Sequence, residues 1–560
     1  MASVPDVVGL LHRADWTRLS LTAEVNTGID PGLSWKSTQA AMPSWQAAMP
    51  SWLRRDTPAP EGPGGFRSRR LKLLIAPGRR YREEHEDSRW VSGCDGERRW
   101  DQGGPGQPGA QDPAEMSGDP EAPLQALLCP APLLTGFVLD VRGPVTACGR
   151  DAVHVVATPR PSMHDLTGRR HRGLDRIEAI VDTGLGILLS REEFFEGQLV
   201  RLSQLTSVTL NPPEAADDSR FRAPPGSVIR QSTREKQREF FDQPVWKAYD
   251  LAACGLAAWE RYSPFRPADT AVGFDPEPDM PPDEPGPADP SPVSDELLYL
   301  LYRSGSQTPE LTATLHLWQE MAAVNSRVIP EAAPGMGEGG FGRLLDAASE
   351  REPRAHTMAT VRTGSHGRYR IDYAVHPRER PPTAIACDGQ RHWSLNQDRL
   401  LTGPAAPPPV QLAIVADASW LLECSLSGGA EVMAGNRRGY RISITGGVSP
   451  SGFLVFFPAE AVVDAELGVL LRLTCYVDGK PATRAELRDV GPGPVEPGVF
   501  RLDAPPGVRV VEASGNLLAD VVAEAPGPLG AALRTTAGAA KRTGEAVTAV
   551  RSFLDGLRRQ

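Results

Sequence analysis

Alternation of apolar and polar residues with a period of two is the dominant pattern of this chain, and it predicts strands. The pattern appears in TRLSLTAEVNT near the N-terminus and in RYRIDYAVH further along. LKLLIAPGRRYREEHE alternates on both sides of a Pro-Gly break, which is typical of a hairpin. Helical spacing appears in shorter stretches, among them residues 7–11, 295–303, 310–324 and 341–350.

The chain repeats one order of motifs. CDGERRW at 94–100 returns as CDGQRHW at 387–393. The first copy is followed by GRDAVHVVATPR, IEAIVDTGLGILLSREEFFEGQ and FRAPPGSV, and the second by GYRISITGG, AEAVVDAELGVLLRLTCYVDGK and FRLDAPPGVRV. Blocks that recur in one order, at an offset of roughly 280 to 295 residues, indicate an internal duplication. The sequence therefore predicts two copies of one domain.

The duplication sets the predicted domain boundaries, because two copies of about 200 residues account for most of the chain. The predicted segments are a first domain at 1–230 with an insertion at 101–123, a helical extension at 231–263, an acidic proline-rich linker at 264–294, a second domain at 295–515 and an amphipathic tail at 516–560. The linker lacks the apolar residues that order a segment. It predicts domains that are tethered and not necessarily docked.

Each copy has strands in runs joined by short turns. A helix precedes the strands, and another is predicted between them at LLTGFVL in the first copy and SWLLECSL in the second. Strands that follow one another without crossover helices are typical of an antiparallel sheet. The predicted fold class is therefore α+β.

Several of these motifs match the loose pattern of a known superfamily. The pattern is an arginine-rich strand edge, an Asp-Gly turn followed by an aromatic residue, a helix, a Gly-Arg strand and an aspartate-led hairpin. In the second copy the matching residues are Tyr369, Arg370, Asp372, Asp388, Gly389, Trp393, Ser419, Trp420, Leu421, Leu422, Asp464, Gly468, Leu470, Leu471, Arg472, Asp478 and Gly479. In the first copy they are Tyr81, Arg82, Asp95, Gly96, Trp100, Leu133, Leu134, Gly149, Arg150, Asp182, Gly186, Leu188 and Leu189.

With these residues the chain resembles the lipoprotein-carrier superfamily, which includes the LolA and LolB carriers and the RseB-type periplasmic sensors. The resemblance implies two tandem copies of a strongly curved antiparallel sheet, an unclosed barrel with helices on its concave face. It also implies a space between sheet and helices that takes acyl chains. Those relatives are usually exported, whereas MASVPDVVGLLHRADWTRL has no basic segment followed by an apolar run. We therefore expect a cytoplasmic protein.

Composition narrows the function classes. The chain has 60 Lys and Arg against 70 Asp and Glu, and this acidic balance argues against a nucleic-acid partner, whose phosphates need neutralising. Seven cysteines without C-x-x-C spacing predict neither a disulfide framework nor a metal site. No phosphate-binding loop, G-x-S-x-G or H-E-x-x-H motif is present. We therefore expect no catalytic residues, metal or cofactor.

The most conspicuous carboxylates have a structural interpretation. Asp-Gly between alternating runs is the strongest short hairpin signal, because Gly tolerates positive φ and Asp bonds its own turn. Asp95-Gly96 and Asp388-Gly389 are therefore predicted turns. Asp182 and Asp464, each four residues before a Gly, are predicted turn residues of a later hairpin.

The candidate ligand-binding residues are apolar. A cavity wall on the predicted central helices would consist of Leu134, Phe137, Val138, Trp420, Leu421 and Leu422. The alternative is that these side chains only fill the core. Trp100 and Trp393, which follow the Asp-Gly turns, are candidates for a cavity mouth or for covering a sheet edge.

The C-terminal tail has Val547, Val550, Leu554 and Leu557 at helical spacing, with arginines off that stripe. Such a helix either touches an anionic membrane surface or packs on its own domain.

Together these features predict a non-enzymatic protein that binds a hydrophobic or acyl ligand. The alternative is an interaction scaffold or regulatory sensor with collapsed cavities that grips a protein partner. An open apolar pocket of about 300 Å³ or more in either copy would favour the ligand, and filled concave faces would favour the scaffold.

Overall fold

The structure is a computed structural model. It describes residues 2–40, 65–86, 90–96, 98–102, 122–160, 173–225, 227–229, 289–320, 354–375, 383–395, 399–405, 408–447 and 458–512.

The first half of the described chain contains helices, short 3₁₀ helices and eleven strands. The helices are α1 (Val4–Arg13), α2 (Pro31–Ala40), α3 (Ala122–Leu128) and α4 (Pro132–Gly136), and the 3₁₀ helices are Trp16–Arg18, Pro213–Ala216 and Asp218–Arg220. The strands are β1 (Leu21–Ile29), β2 (Arg67–Ala76), β3 (Arg80–His85), β4 (Val91–Asp95), β5 (Arg99–Gln102), β6 (Phe137–Ala147), β7 (Arg150–Pro159), β8 (Arg176–Asp182), β9 (Leu188–Phe195), β10 (Gln198–Leu210) and β11 (Val228–Ile229).

The second half contains twelve strands in its described residues. Its helices are α5 (Asp295–Ser306) and α6 (Val410–Ala416), and its 3₁₀ helices are Ala418–Glu423 and Pro497–Phe500. The strands are β12 (Leu311–Glu320), β13 (Arg354–Gly364), β14 (Arg368–Val375), β15 (Ala384–Cys387), β16 (Arg391–Leu395), β17 (Arg399–Pro404), β18 (Cys424–Ala434), β19 (Arg437–Gly447), β20 (Ala459–Asp464), β21 (Leu470–Val477), β22 (Lys480–Pro492) and β23 (Arg509–Glu512).

Each half forms one sheet, and the two sheets have the same strand order except that β17 of the second sheet has no counterpart in the first. The first runs β6-β7-β8-β9-β10-β1-β2-β3-β4-β5-β11, and the second runs β18-β19-β20-β21-β22-β12-β13-β14-β15-β16-β17-β23. All neighbouring strands pair antiparallel except β17 and β23. The end strands of each sheet do not pair with each other, so neither sheet closes. This confirms the predicted α+β class with two unclosed antiparallel sheets.

Local chemistry explains the two equivalent opening helices. Ser3 caps α1 by accepting from the Asp6 N–H, and the Asp6 carboxylate accepts from the Ser3 N–H. Ser294 caps α5 by accepting from the Leu297 N–H. The apolar faces of α1 and α5 are buried, as the helical spacing predicts.

Two helix predictions from the sequence are wrong. The stretch predicted as a helix at 310–324 contains strand β12, because Leu311, Ala313, Leu315 and Leu317 alternate toward the core while β13 and β22 pair on either side. The predicted central helices are also shorter than expected. In the first half, helix α4 ends at Gly136, because strand β6 begins immediately afterwards. At the equivalent predicted helix of the second half, the structure has the 3₁₀ helix Ala418–Glu423, which strand β18 follows directly.

The two halves are docked on each other through their helices. Helix α1 contacts α5, and both α4 and α5 contact the 3₁₀ helix Ala418–Glu423. One continuous hydrophobic core includes buried residues of both sheets and of this helical layer. Polar contacts cross the same layer, including an ion pair between Arg13 and Asp295. The halves are therefore packed as one body in the part of the chain that the structure describes.

Candidate binding site

A small cavity lies on the concave face of the second sheet. Helix α6 packs against β21 and β22 and forms its roof. The cavity measures about 10 Å³, roughly the space that one water molecule needs. Its lining residues are Leu315, Leu317, Gln411, Ile414, Leu473, Thr483 and Ala485.

Thr483 and Gln411 are the polar residues of this lining. Thr483 is 3% exposed, and its Oγ1 has no hydrogen-bond partner among the described residues. A buried hydroxyl without a partner costs free energy, so one water or one polar ligand atom at this position would be stabilising. The cavity thus combines apolar walls with one hydrogen-bonding point.

The same place in the first sheet is filled by charged side chains. Arg191 on β9 forms an ion pair with Glu193, with Nη2 and Oε1 2.9 Å apart. Arg201 on β10 lies 3.9 Å from the other carboxylate oxygen of Glu193. The side chains of Arg191, Glu193 and Arg201 are mostly buried, at 13%, 6% and 20% exposure respectively. The network lies at strand positions equivalent to part of the cavity lining in the second half.

Strand register defines this equivalence residue by residue. Arg191 pairs with Ser203 in the first sheet, and Leu473 pairs with Ala485 at the same point of the second. Thr483 of the cavity takes the position of Arg201. The substitutions are visible when LLSREEFF and LLRLTCYV of the repeated block are aligned. The residues that the two blocks share predict their common fold, and only the positions at which the blocks differ could have indicated this network.

Two of the predicted cavity-wall residues do not lie on a helix. Phe137 and Val138 begin strand β6, so the prediction that they face the sheet from a helix is wrong. Phe137 is buried, whereas Val138 is 40% exposed because successive residues of a strand point to opposite faces. Val138 therefore does not form part of a cavity wall.

The other four predicted wall residues lie in the layer between the halves. Leu134 belongs to α4, and Trp420, Leu421 and Leu422 belong to the 3₁₀ helix Ala418–Glu423. All four are fully buried and belong to the shared core. None of them lines the cavity, although the Trp420 Nε1 donates to the backbone carbonyl of Ile414, 3.2 Å away. A cross-contact at His12, whose Nδ1 lies 3.1 Å from the Leu422 carbonyl, places this helix against α1.

The predicted cavity-mouth tryptophans occupy different environments. Trp100 is completely buried, and its Nε1 donates to the Phe221 carbonyl at 2.8 Å. Its ring lies so close to Gly93 that a side chain there would collide with it. Trp393 is partly buried and packs on a separate small cluster around Leu400 and Leu502. Neither tryptophan is among the residues that line this cavity.

The first pair of conspicuous aspartates bonds its own turns. An Asp95 oxygen accepts from the Arg98 N–H at 2.8 Å, and Gly96 has a φ of 104°. An Asp388 oxygen accepts from the Arg391 N–H at 2.8 Å, and Gly389 has a φ of 90°. Both carboxylates are occupied in structural contacts.

The second pair of aspartates forms the same arrangement in both halves. Arg150 donates to the buried carboxylate of Asp182, which also accepts from the Gly184 and Leu185 N–H groups at 2.8 Å. Burial raises the pKa of Asp182, but these hydrogen bonds outweigh it, so the pKa lies below its ordinary value.

In the second half, Arg437 donates to Asp464, which also accepts from the Glu466 and Leu467 N–H groups at 2.9 and 2.8 Å. Burial opposes the same kind of hydrogen bonds there, and the pKa of Asp464 is likewise lowered. An aspartate ionised and held in this way is suited to fixing a hairpin and not to proton transfer.

A stacked aromatic group on the second sheet was not predicted. The rings of His316, Trp318 and His356 are stacked, and His316 Nδ1 lies 3.3 Å from His356 Nε2. Burial lowers the pKa of both histidines, with Arg488 acting in the same direction. Alternation along β12 places His316 and Trp318 on one face, but only the pairing of β12 with β13 brings His356 to them.

Within the described ranges, no three His, Cys, Asp or Glu side chains come together as metal ligands. No described helix is long and apolar enough to cross a membrane. Most of the predicted insertion, the extension at 231–263, most of the linker and the C-terminal tail lie outside the described residues. Their predicted roles, and the cytoplasmic location, stay predictions.

No protein-family model matches this sequence. No curated protein matches it either.

Solved structures are similar at low scores. A chain of the Pseudomonas aeruginosa MucA/MucB complex is 17% identical over 41% of this chain and 64% of its own length, with a TM-score of 0.25. An uncharacterized conserved protein from Thermus thermophilus is 11% identical, covering 39% of this chain and 98% of its own, with a TM-score of 0.23. A LolA superfamily protein from Nitrosomonas europaea is 11% identical, covering 35% and 91%, with a TM-score of 0.16.

This chain thus spans less than two thirds of the MucB structure that it matches. Because all three TM-scores are below 0.5, these similarities carry no argument about the fold, which follows from the strand order of the two sheets.

Proposed function

We propose that this chain is a non-enzymatic scaffold that binds a protein partner, built from two tandem copies of a carrier-like domain. One observation carries this choice over an acyl carrier. In the described residues, the concave face of the first sheet holds a mostly buried ion network, and that of the second encloses a cavity with space for about one water.

The size of the cavity is the quantitative basis of this proposal. A cavity of about 10 Å³ holds one water, whereas pockets for drug-sized ligands measure roughly 300 Å³ or more. An acyl chain would enter only after α6 moved away from β21 and β22, which would expose Ile414 and the apolar residues beneath it.

The tandem-copy proposal is supported by features that recur at equivalent points. The strand order is shared, and the ion pairs Arg150–Asp182 and Arg437–Asp464 occupy the same hairpin in each sheet. The absence of catalysis is supported by the carboxylates themselves, since Asp182 and Asp464 are committed to these pairs. The two halves share one hydrophobic core, and a partner-binding surface that is already packed in this way limits the ordering cost on binding.

Native mass spectrometry of the chain purified from its own host tests the proposal. We expect a polypeptide to be retained and no lipid. A stoichiometric lipid mass would contradict the scaffold and restore the carrier.

A second candidate function, binding of an apolar ligand with one polar atom, is favoured by the Thr483 hydroxyl in the apolar cavity. Titration with a fluorescent apolar probe, 1-N-phenylnaphthylamine, tests it on the full chain. The variant Ile414→Ala removes side-chain atoms from the roof and so enlarges the cavity, and Leu128→Ala, at a buried residue of α3, is the control. Saturable probe binding by the unmodified chain, strengthened by Ile414→Ala alone, would favour this candidate over the scaffold.

A further inference from the structure

One end of the concave face in the first half carries four arginines. Two rows of cross-strand neighbours run across β2, β1, β10 and β9 at this end. One row is Arg69, Thr27, Ser203 and Arg191, and the other is Arg67, Ile29, Arg201 and Glu193. We call the four arginines and Glu193 the basic groove.

All members of the basic groove share one face of the sheet. Residues two apart on a strand point to the same side, and Leu71 and Leu73 of β2 are buried in the core. Arg67 and Arg69 continue this parity beyond the core, where they are exposed. Neighbouring strands lie about 4.8 Å apart, so Arg67 and Arg201, separated by β1, are roughly 10 Å apart along their row.

Exposure is graded along the basic groove. Arg67 and Arg69 are exposed, Arg201 is 20% exposed and Arg191 is 13% exposed. Glu193 lies at the buried end, 2.9 Å from Arg191 and 3.9 Å from Arg201, where it offsets part of their charge. Among these five residues, four arginines stand against one glutamate, and the two most exposed members, Arg67 and Arg69, are both positively charged.

Two contrasts set this patch apart. The whole chain carries a net charge of −10, so a local excess of arginine runs against its composition. The second half, with the same strand order and pairing register, has Thr357, Leu473 and Thr483 where the first has Arg69, Arg191 and Arg201. The shared fold therefore does not require arginines at these positions.

We propose that the basic groove docks an acidic segment of a protein partner, an inference that rests on the scaffold function proposed above. Arginine is suited to this task because its planar guanidinium binds carboxylates through paired hydrogen bonds. The exposed Arg67 and Arg69 would attract the acidic segment first. The guanidinium of Arg201 lies closer to the buried end of the basic groove. An extended peptide spans the roughly 10 Å between Arg67 and Arg201 with about three residues.

Fluorescence anisotropy with the full chain tests the groove. The probe is a fluorescein-labelled peptide rich in Glu and Asp, and its control has Gln and Asn in their place. The variant Arg67→Gln with Arg69→Gln removes the two exposed charges. The matched control is Arg18→Gln with Arg142→Gln, which removes two exposed arginines elsewhere, at 86% and 56% exposure.

We expect the acidic peptide to bind and the neutral one not to bind. Affinity for the acidic peptide should fall about tenfold in the groove variant, stay unchanged in the control and weaken as salt is added. Equal affinity of both variants for the acidic peptide, or no binding at all, would overturn the groove. Because all four positions are exposed, circular dichroism should show that both variants fold normally.

Two further measurements distinguish the basic-groove proposal from a lipid-binding surface and from the scaffold proposal. Vesicles of anionic phosphatidylglycerol should not bind, and binding that the groove variant abolishes would reassign the surface to lipid and overturn the proposal. If native mass spectrometry shows a retained polypeptide that the groove variant binds equally well, the basic-groove proposal is wrong and the scaffold proposal stands. If a stoichiometric lipid is retained instead, the scaffold proposal is wrong. The peptide titration would still show whether the basic groove prefers acidic peptides.

Discussion

Arg160 of the first half donates a hydrogen bond from Nη1 to the backbone carbonyl of Tyr302 in the second half, at 2.9 Å. The same guanidinium donates to the carbonyls of Leu134 and Thr135 at the end of α4, and it stacks over the Tyr302 ring. Arg160 is only 2% exposed. One buried side chain thus joins the C-terminal ends of α4 and α5 across the contact between the halves.

Replacing this arginine should destabilise the docked state. Arg160→Met keeps an apolar stem but leaves three buried carbonyls without their donor, which should cost about 2–4 kcal/mol of unfolding free energy. Urea denaturation followed by tryptophan fluorescence measures this. Arg18→Met, at an 86% exposed arginine, should change the midpoint very little. If Arg160→Met were as stable as the unmodified chain, the cross-contact would have no energetic role.

The paired aspartates predict a loss of stability in acid. Both Asp182 and Asp464 have pKa values below the ordinary 3.8, so the unfolded chain binds protons before the folded chain does. Their contribution is present above the ordinary pKa and is lost as pH falls through the lowered values. Asp182→Asn and Asp464→Asn should each lower stability at neutral pH and reduce this dependence on acid.

Thermal unfolding from about pH 6 to about pH 3 measures the effect. The duplicated geometry predicts that the two variants behave alike. Asp140→Asn, at a 58% exposed carboxylate, is the control and should leave the acid dependence unchanged. An unchanged acid dependence in both buried variants would show that other carboxylates control it.

The histidine pair predicts a second, milder pH dependence. Burial lowers the pKa of His316 and His356 below 6.5, and Arg488 opposes their protonation, while Glu486 and Asp489 favour it at His316. The neutral pair therefore stabilises the fold above about pH 6.5, and stability should fall as pH decreases through that value, because the unfolded histidines take up protons first.

Urea midpoints at about pH 7.5 and about pH 5.5 should differ less in His316→Gln than in the unmodified chain. His154→Gln, at a histidine 33% exposed beside Glu178, is the control. An equal pH difference in all three proteins would show that the stacked pair does not govern it.

Two equivalent glycines predict a backbone requirement. Gly186 and Gly468 have a φ of 72°, and a Cβ at either would meet the backbone carbonyl of the opening helix, at Leu10 and Leu300 respectively. Alanine at either position adds left-handed strain to a backbone clash and should cost about 2–4 kcal/mol.

Gly479→Ala separates the two effects, because φ is 75° there but nothing lies within 4 Å of an added Cβ. We expect it to cost only about 1 kcal/mol. Denaturant titration of the three variants checks this order. Equal costs would show that the close approach of helix and hairpin adds nothing to the strain.

Much of the local structure, and the recurrence of motifs along the chain, can be predicted from the amino-acid sequence alone. Period-two alternation identified strands such as β14, and the Asp388-Gly389 turn followed from the conformational freedom of glycine and the short side chain of aspartate. These features depend on neighbours along the chain, so one sequence contains the needed information. Alternation failed at β12 because Leu311 and Leu315 also fit a helical spacing, and only pairing with β13 and β22 decides between the two.

The surroundings of each apolar or charged side chain, in contrast, become clear only from the tertiary structure. Trp420 and Leu422 were expected to face a cavity, but docking of the two halves buries them in a shared layer. Arg191 and Glu193 look like ordinary strand residues until the register places them beside Arg201 on the concave face. Contacts between distant segments depend on how the sheets and helices pack, and the local pattern of one chain does not encode that packing directly.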